Sequence, residues 1–170
     1  KTIYRVSSTD GGRTFGAPLR VAKAQGVVAA VFPLGGSLAM LAQTQRGPRT
    51  KGVIKLFRST DDGRSFPARA KVGSSPAYVY AHQASVASNA SGVVAIAWSE
   101  NSSLPGPTEG LYVTVSRDGG RTFDAAQLVV AGLFIDPPAV TVAPDGSVGL
   151  AYASSVATLT AQEVLFQRVD

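Results

Sequence analysis

The side chains that could do chemistry in this chain are few and far apart. His82 is the only histidine, and an imidazole can move a proton near neutral pH or ligate a metal. Glu100 and Asp136 are carboxylates. Two carboxylates flanking a glycosidic bond can work as acid and base or nucleophile, while one alone can only accept hydrogen bonds. Arg46 and Arg49, followed by Lys51, form a short basic stretch able to grip a carboxylate, arginine in a two-pronged way. Tyr78, Tyr80 and Tyr112 could stack on a sugar ring. Each has a plainer reading: His82 as a hydrogen-bonded turn residue, Glu100 as a solvated carboxylate, residues 46–51 as a surface loop, and Tyr80 or Tyr112 as packing between sheets. Trp98 is expected in the core. The ligand-binding candidates are thus His82, Asp136, Glu100, Arg46, Arg49 and Tyr78.

Other chemistries find no support. The chain has no cysteine, which removes disulfides, thiolate metal sites and a cysteine nucleophile. No metal-ligand spacing, phosphate-binding glycine loop or Ser/His/Asp arrangement stands out, so neither cofactor nor metal is expected. The net charge of +5 is compatible with an acidic glycan or a carboxylate ligand. No basic cluster interleaved with aromatics argues for nucleic acid, and no apolar run approaches the length of a membrane span.

The elements that must position these candidates are announced by a repeat. Ser8-Thr9-Asp10-Gly11-Gly12-Arg13-Thr14-Phe15 returns as Ser59-Thr60-Asp61-Asp62-Gly63-Arg64-Ser65-Phe66 and as Ser116-Arg117-Asp118-Gly119-Gly120-Arg121-Thr122-Phe123. Each residue type suits a tight loop. The Asp accepts hydrogen bonds from amides just after it, Gly12, Gly63 and Gly120 permit positive φ, and the Ser or Thr at either end ties the loop to itself. Phe15, Phe66 and Phe123 are expected to turn a ring back into the core. Arg13, Arg64 and Arg121 read as solvated. The flanks at residues 2–7, 53–58 and 111–115 are rich in β-branched and aromatic residues, so each loop should join two antiparallel strands.

A second repeat aligns with the first. Residues 36–42, 92–98 and 146–152 begin with Gly and continue as apolar runs with a small column at Ala39, Ala95 and Gly149. Such runs fit strands buried on both faces. First strands are expected at 27–33, 83–88 and 139–142, and fourth strands near 18–22, 69–72 and 126–130. Glu163-Val164-Leu165-Phe166-Gln167 reads as a strand. The unit is four antiparallel strands in about fifty to sixty residues, the blade of a β-propeller.

The pattern Ser-x-Asp-x-Gly-Arg-Ser/Thr-Phe resembles the Asp box, the bacterial neuraminidase repeat of sialidases and several other β-propeller families. The resemblance implies an all-β propeller of four-stranded antiparallel blades, with about three blades' worth of chain here: two complete blades at 26–73 and 82–130, flanked by partial blades at 1–22 and 136–170. The boxes are then structural and sit between third and fourth strands, away from the catalytic face. The opposite face would carry segments 24–26, 74–82 and 132–138 with 43–51, 99–110 and 154–162, which hold the candidates above. Propellers close with four to eight blades, so the remaining blades of the same protein, or additional copies, are needed to close the ring.

Sialidases are known for an arginine triad, a Tyr nucleophile with its Glu, an Asp acid/base and a Phe-Arg-Ile-Pro-like segment. The sequence departs from that pattern: Phe57-Arg58-Ser59-Thr60 runs straight into a box, and no triad or Tyr–Glu pair maps onto named positions. The expectation is an exported, secreted or cell-surface bacterial module that binds glycan or protein as a non-catalytic scaffold, its signal peptide lying outside this stretch. The alternative is an exo-sialidase-like glycoside hydrolase whose catalytic residues lie largely outside it. Asn89-Ala-Ser91 and Asn101-Ser-Ser103 would be glycosylation sequons only in a eukaryotic secretory pathway.

Overall fold

A computed structural model describes residues 2–23, 28–44, 53–74, 84–100, 110–131, 137–154 and 163–169. The described residues form strands joined by turns. β1 (Thr2–Arg5) pairs with β2 (Leu19–Lys23). β3 (Val28–Leu34), β4 (Ser37–Thr44), β5 (Val53–Arg58) and β6 (Ala68–Ser74) form a four-stranded antiparallel sheet in chain order. β7 (Ala84–Ser88), β8 (Val94–Glu100), β9 (Gly110–Ser116) and β10 (Gln127–Ala131) repeat it. β11 (Ala139–Val142), β12 (Val148–Ser154) and β13 (Glu163–Val169) form a three-stranded sheet of the same order. No helix among the described residues is long and apolar enough to cross a membrane.

The sheets stack face to face, and the second strand of each is the reason. Along β8 every residue is buried. Val94, Ile96 and Trp98 share a core with Leu34, Ala39, Leu41, Ile54, Leu56 and Val72 of the preceding sheet. Ala97 on the opposite face packs with Leu150 and Tyr152 of the following sheet, and Ala95 with Val148. A strand sandwiched this way cannot alternate apolar with polar, which is why its sequence reads as a continuous apolar run. β4 is built alike: Ala39 and Leu41 face the following sheet, while Met40 and Ala42 pack with Phe57, Phe66 and Ile3 on the other side. Ala39 and Ala95 of the small column lie on the face toward the following sheet, where they leave room for bulkier partners. At one end the sheets are also strapped by hydrogen bonds: Ser88 Oγ donates to the Pro33 carbonyl at 3.2 Å and Asn89 Nδ2 to the Ala143 carbonyl at 3.0 Å. Asn89 therefore spends its side-chain amide inside the fold.

The three repeated loops close in one way. Ser8 Oγ donates to Asp10 Oδ1 at 2.6 Å and accepts from the Gly12 amide at 2.8 Å. Asp10 accepts from the Thr14 amide at 2.9 Å and from its hydroxyl at 2.6 Å. Ser59, Asp61, Gly63 and Ser65 repeat these bonds, as do Ser116, Asp118, Gly120 and Thr122. Gly12, Gly63 and Gly120 all have positive φ. The loops differ in what they lean on. A Cβ on Gly120 would lie 2.3 Å from Leu56 Cδ2, and one on Gly63 would lie 2.9 Å from Leu38 Cδ1 and 3.4 Å from Arg5; one on Gly12 would meet nothing within 4 Å.

The phenylalanines follow the same rule and correct one expectation. Phe66 is buried between its own sheet and Ile3 of the preceding one, and Phe123 packs on the core shared by the two four-stranded sheets. Phe15 does not enter a core: it is 63% exposed. The ring needs a preceding sheet as its other wall, and no described sheet precedes β1–β2.

Two predictions follow from the loops. Gly120→Ala combines left-handed strain with overpacking against Leu56 and should cost about 2–4 kcal/mol. Gly12→Ala carries only the strain, about 1–2 kcal/mol; denaturant titration of both variants checks the order, and equal losses would refute the wedged position of Gly120. Hydrogen bonds to the loop carboxylates also set a pH limit. Those from the Ser65 hydroxyl, the Ser65 amide and Ser59 lower Asp61 to about 2. Thr122 chiefly does so for Asp118 and Ser8 chiefly for Asp10, both held below the usual range. An aspartate at its ordinary value near 3.9 in the unfolded chain then stabilises the fold above about pH 4, and the contribution is lost as pH falls toward 2 and below. Thermal unfolding from pH 7 to pH 2 should show the wild-type midpoint dropping over that window, with Asp118→Ala lower at pH 7 and dropping less.

Candidate ligand-binding end of the sheets

The antiparallel order sorts the connections into two groups. At one end of the sheets lie the tight turns after β3, β7 and β11 and the loops closed by Asp10, Asp61 and Asp118. At the other lie the segments that leave β4, β8 and β12 and those that enter β3, β7 and β11. Arg46, Arg49, Tyr78, His82 and Asp136, together with Lys51 and Tyr80, lie outside the described residues. Glu100 is the candidate whose surroundings are described.

Glu100 is the last residue of β8, opposite Gly110 of β9. The expectation of a solvated carboxylate is overturned: it is 5% exposed. The cause is strand periodicity. Trp98 and Glu100 are two apart and so point to the same face, the one buried against the preceding sheet. Trp98 Nε1 donates to Glu100 Oε1 at 3.0 Å. Burial raises the Glu100 carboxyl above its ordinary range, and the Trp98 bond opposes that rise; neither influence is a second carboxylate.

Trp98 is also paired across the strands with Tyr112, their rings stacked with centroids 5.8 Å apart and planes 16° from parallel. Burial and the nearby Glu100 charge raise the Tyr112 hydroxyl, which stays neutral at physiological pH. Tyr112 packs against the core shared by the two four-stranded sheets, the plainer of its two readings. Trp98, 2% exposed, is core as expected. That Trp98 is the partner of Glu100 does not follow from residue type; the signal in the sequence is their spacing of two in a strand. Chemically, the arrangement offers a fixed carboxyl oriented by an indole N–H at the end of β8. No group of three His, Cys, Asp or Glu side chains able to hold a metal occurs among the described residues.

No protein-family model matches the chain, and no curated protein matches it by sequence. Solved structures do match. The NanB sialidase from Streptococcus pneumoniae, in complex with 2-[(3-chlorobenzyl)ammonio]ethanesulfonate, superposes over 99% of this chain with a TM-score of 0.62 at 14% identity. A NanB complex with Optactamide gives 0.60 at 13% identity over 98%. A protein of unknown function from Dyadobacter fermentans gives 0.56 at 20% identity, over 89% of this chain and 44% of its own. The chain spans 26% of each sialidase chain. At these identities the likeness is one of fold: an all-β, sialidase-like arrangement of antiparallel four-stranded sheets.

The buried carboxyl makes a prediction. A glutamate whose value is raised on folding stabilises the fold below its ordinary value near 4.3, and that contribution is lost as pH rises through the folded value. Glu100→Gln keeps an acceptor for Trp98 and removes the buried charge. Its thermal midpoint should match wild type at pH 4 and exceed it at pH 7; an equal or lower midpoint at pH 7 would show the carboxylate to be solvated or paired.

Proposed function

We propose that the chain is part of an Asp-box β-propeller, exported by a bacterium, that binds a glycan at the end of the sheets opposite its Asp boxes and does not itself cleave it. In this reading residues 26–73 and 82–130 are complete blades, 1–22 and 136–170 are parts of two more, and further blades of the same protein or of other copies complete the ring. The three closed loops are the boxes, and their side chains are spent on holding turns. Ligand chemistry then falls to the opposite end, to Glu100 with His82, Asp136, Arg46, Arg49 and Tyr78. The observation that carries the reading is Glu100: a carboxyl buried at that end and aimed by Trp98, with burial and that bond as the influences on it among the described residues. One oriented carboxyl is equipment for recognising sugar hydroxyls; hydrolysis by the usual route requires a pair. The scaffold role, with a protein ligand in place of the glycan, uses the same end.

The second reading is a glycoside hydrolase of the sialidase kind whose catalytic residues lie largely outside this segment. The fold likeness to NanB favours it, although fold alone does not carry activity. One pair of assays separates the two. The protein is titrated with sialic acid, galactose and N-acetylglucosamine by isothermal calorimetry, and incubated with a fluorogenic sialoside. Saturable sugar binding that weakens in Glu100→Gln, without release of fluorophore, is the expected result. Turnover that disappears in Glu100→Gln would instead establish the hydrolase, and absence of both binding and turnover would rule out a glycan site in this segment.

A further inference from the structure

We propose a second ligand site, for a small oxyanion, at the opposite end of the molecule from the site above. It is a cleft of about 350 Å³ at the mouth of the seam between the two four-stranded sheets, lined by Ser37, Arg58, Ser59, Thr60, Gly119 and Arg121, with the Leu34–Gly36 turn beside them. Its lining contains two arginines and no carboxylate.

Register explains how these residues meet. Arg58 ends β5 opposite Ala39 of β4, and Ser37 lies two positions before Ala39, so Ser37 and Arg58 project on the same face. That face is the one whose Ala39, Leu41, Ile54 and Leu56 pack against the next sheet. At the turn end the packing stops, and the third Asp loop forms the far wall: a Cβ on its Gly120 would come within 3.7 Å of Arg58 Cδ.

The polar groups of the cleft divide into committed and uncommitted. The Ser59 hydroxyl donates to Asp61 and accepts from the Asp61 and Gly63 amides. Arg121 Nη1 donates to the Asp118 carbonyl at 2.8 Å. By contrast, Arg58 Nε and Ser37 Oγ are both buried without a hydrogen-bond partner. A buried donor left unpaired costs about 1–3 kcal/mol, and more on a charged group, so two of them on residues that line one cleft favour a turn of those side chains toward an acceptor held there. Both are donors, one belongs to a cation, and Nε–H is one prong of the arginine fork that matches an oxyanion. The volume falls within the range of small-molecule sites and exceeds what a single tetrahedral ion needs. The ligand inferred is therefore a carboxylate, sulfate or phosphate group, with room for a sugar-sized body.

The test uses the whole chain and two probes, sodium sulfate and sodium glucuronate, each at fixed ionic strength against sodium chloride. The Arg58 Nε–H resonance is followed by nitrogen-15 NMR. A saturable shift with sulfate and glucuronate, absent with chloride, is expected. Ser37→Ala should weaken it about tenfold, the loss of one hydrogen bond to a charged group, and Arg58→Gln should abolish the thermal stabilisation by either probe. A response to both probes assigns the site to the oxyanion itself, and a response to glucuronate alone assigns it to an acidic sugar. No saturable shift of the wild-type resonance, or a Tm gain unchanged in Arg58→Gln, would overturn the proposal.

Discussion

Everything in this fold leans on a loop that an aspartate closes upon itself. Each of the three loops must reverse the chain in a few residues between two antiparallel strands, β1 and β2, β5 and β6, or β9 and β10. A carboxylate that gathers the amide and hydroxyl of the residue four positions on, with a serine hydroxyl that collects the glycine amide, satisfies polar groups the turn would otherwise leave open. With those groups settled locally, the glycine can be pressed against the neighbouring sheet, as Gly120 is against Leu56 and Arg58. The loop is then both a turn and a wedge, and the phenylalanine after it fills the same seam.

The seam determines the composition of the strands. β4 and β8 are covered on both faces, so they have no polar side to show; Ala39–Ala42 is apolar throughout, and Val94–Trp98 alternates in size and not in polarity. Bulk on one face meets small residues on the other, which keeps neighbouring sheets close. No described sheet precedes the one built from β1 and β2. Its loop has the same internal bonds, yet Phe15 is exposed and Gly12 has open space beside it.

Polar side chains of interest collect where a seam ends. Glu100 lies at one end of the seam between the four-stranded sheets and Arg58 at the other. Each continues the buried face of its strand, Trp98 before Glu100 and Leu56 before Arg58, so each is carried partly into the interior by the periodicity of its strand. The two ends differ in what meets them. Glu100 has an indole N–H, whereas Arg58 Nε and the neighbouring Ser37 Oγ have no protein partner.

Much of this was legible in the sequence because it is local. Spacing within the Ser-x-Asp-x-Gly-Arg-Ser/Thr-Phe stretch identified the turns and their hydrogen bonds, since every donor and acceptor lies within a few residues of its partner. The apolar runs after Gly36 and Gly92 identified two doubly covered strands by composition alone; β12, after Gly146, packs against one described sheet. What needed the tertiary structure was everything that depends on a neighbouring sheet. Identical loops place Phe66 and Phe123 in cores and leave Phe15 in the open, because the second wall comes from elsewhere in the chain. Glu100 reads as a solvated strand end until the preceding sheet covers its face, and Ser37 and Arg58, twenty-one positions apart in sequence, become one cleft only through strand register and the wall supplied by Gly119 and Arg121. Local hydrogen bonding determined the repeating unit; burial between units, which no single unit encodes, decided which of its side chains are core and which stay at the ends of a seam.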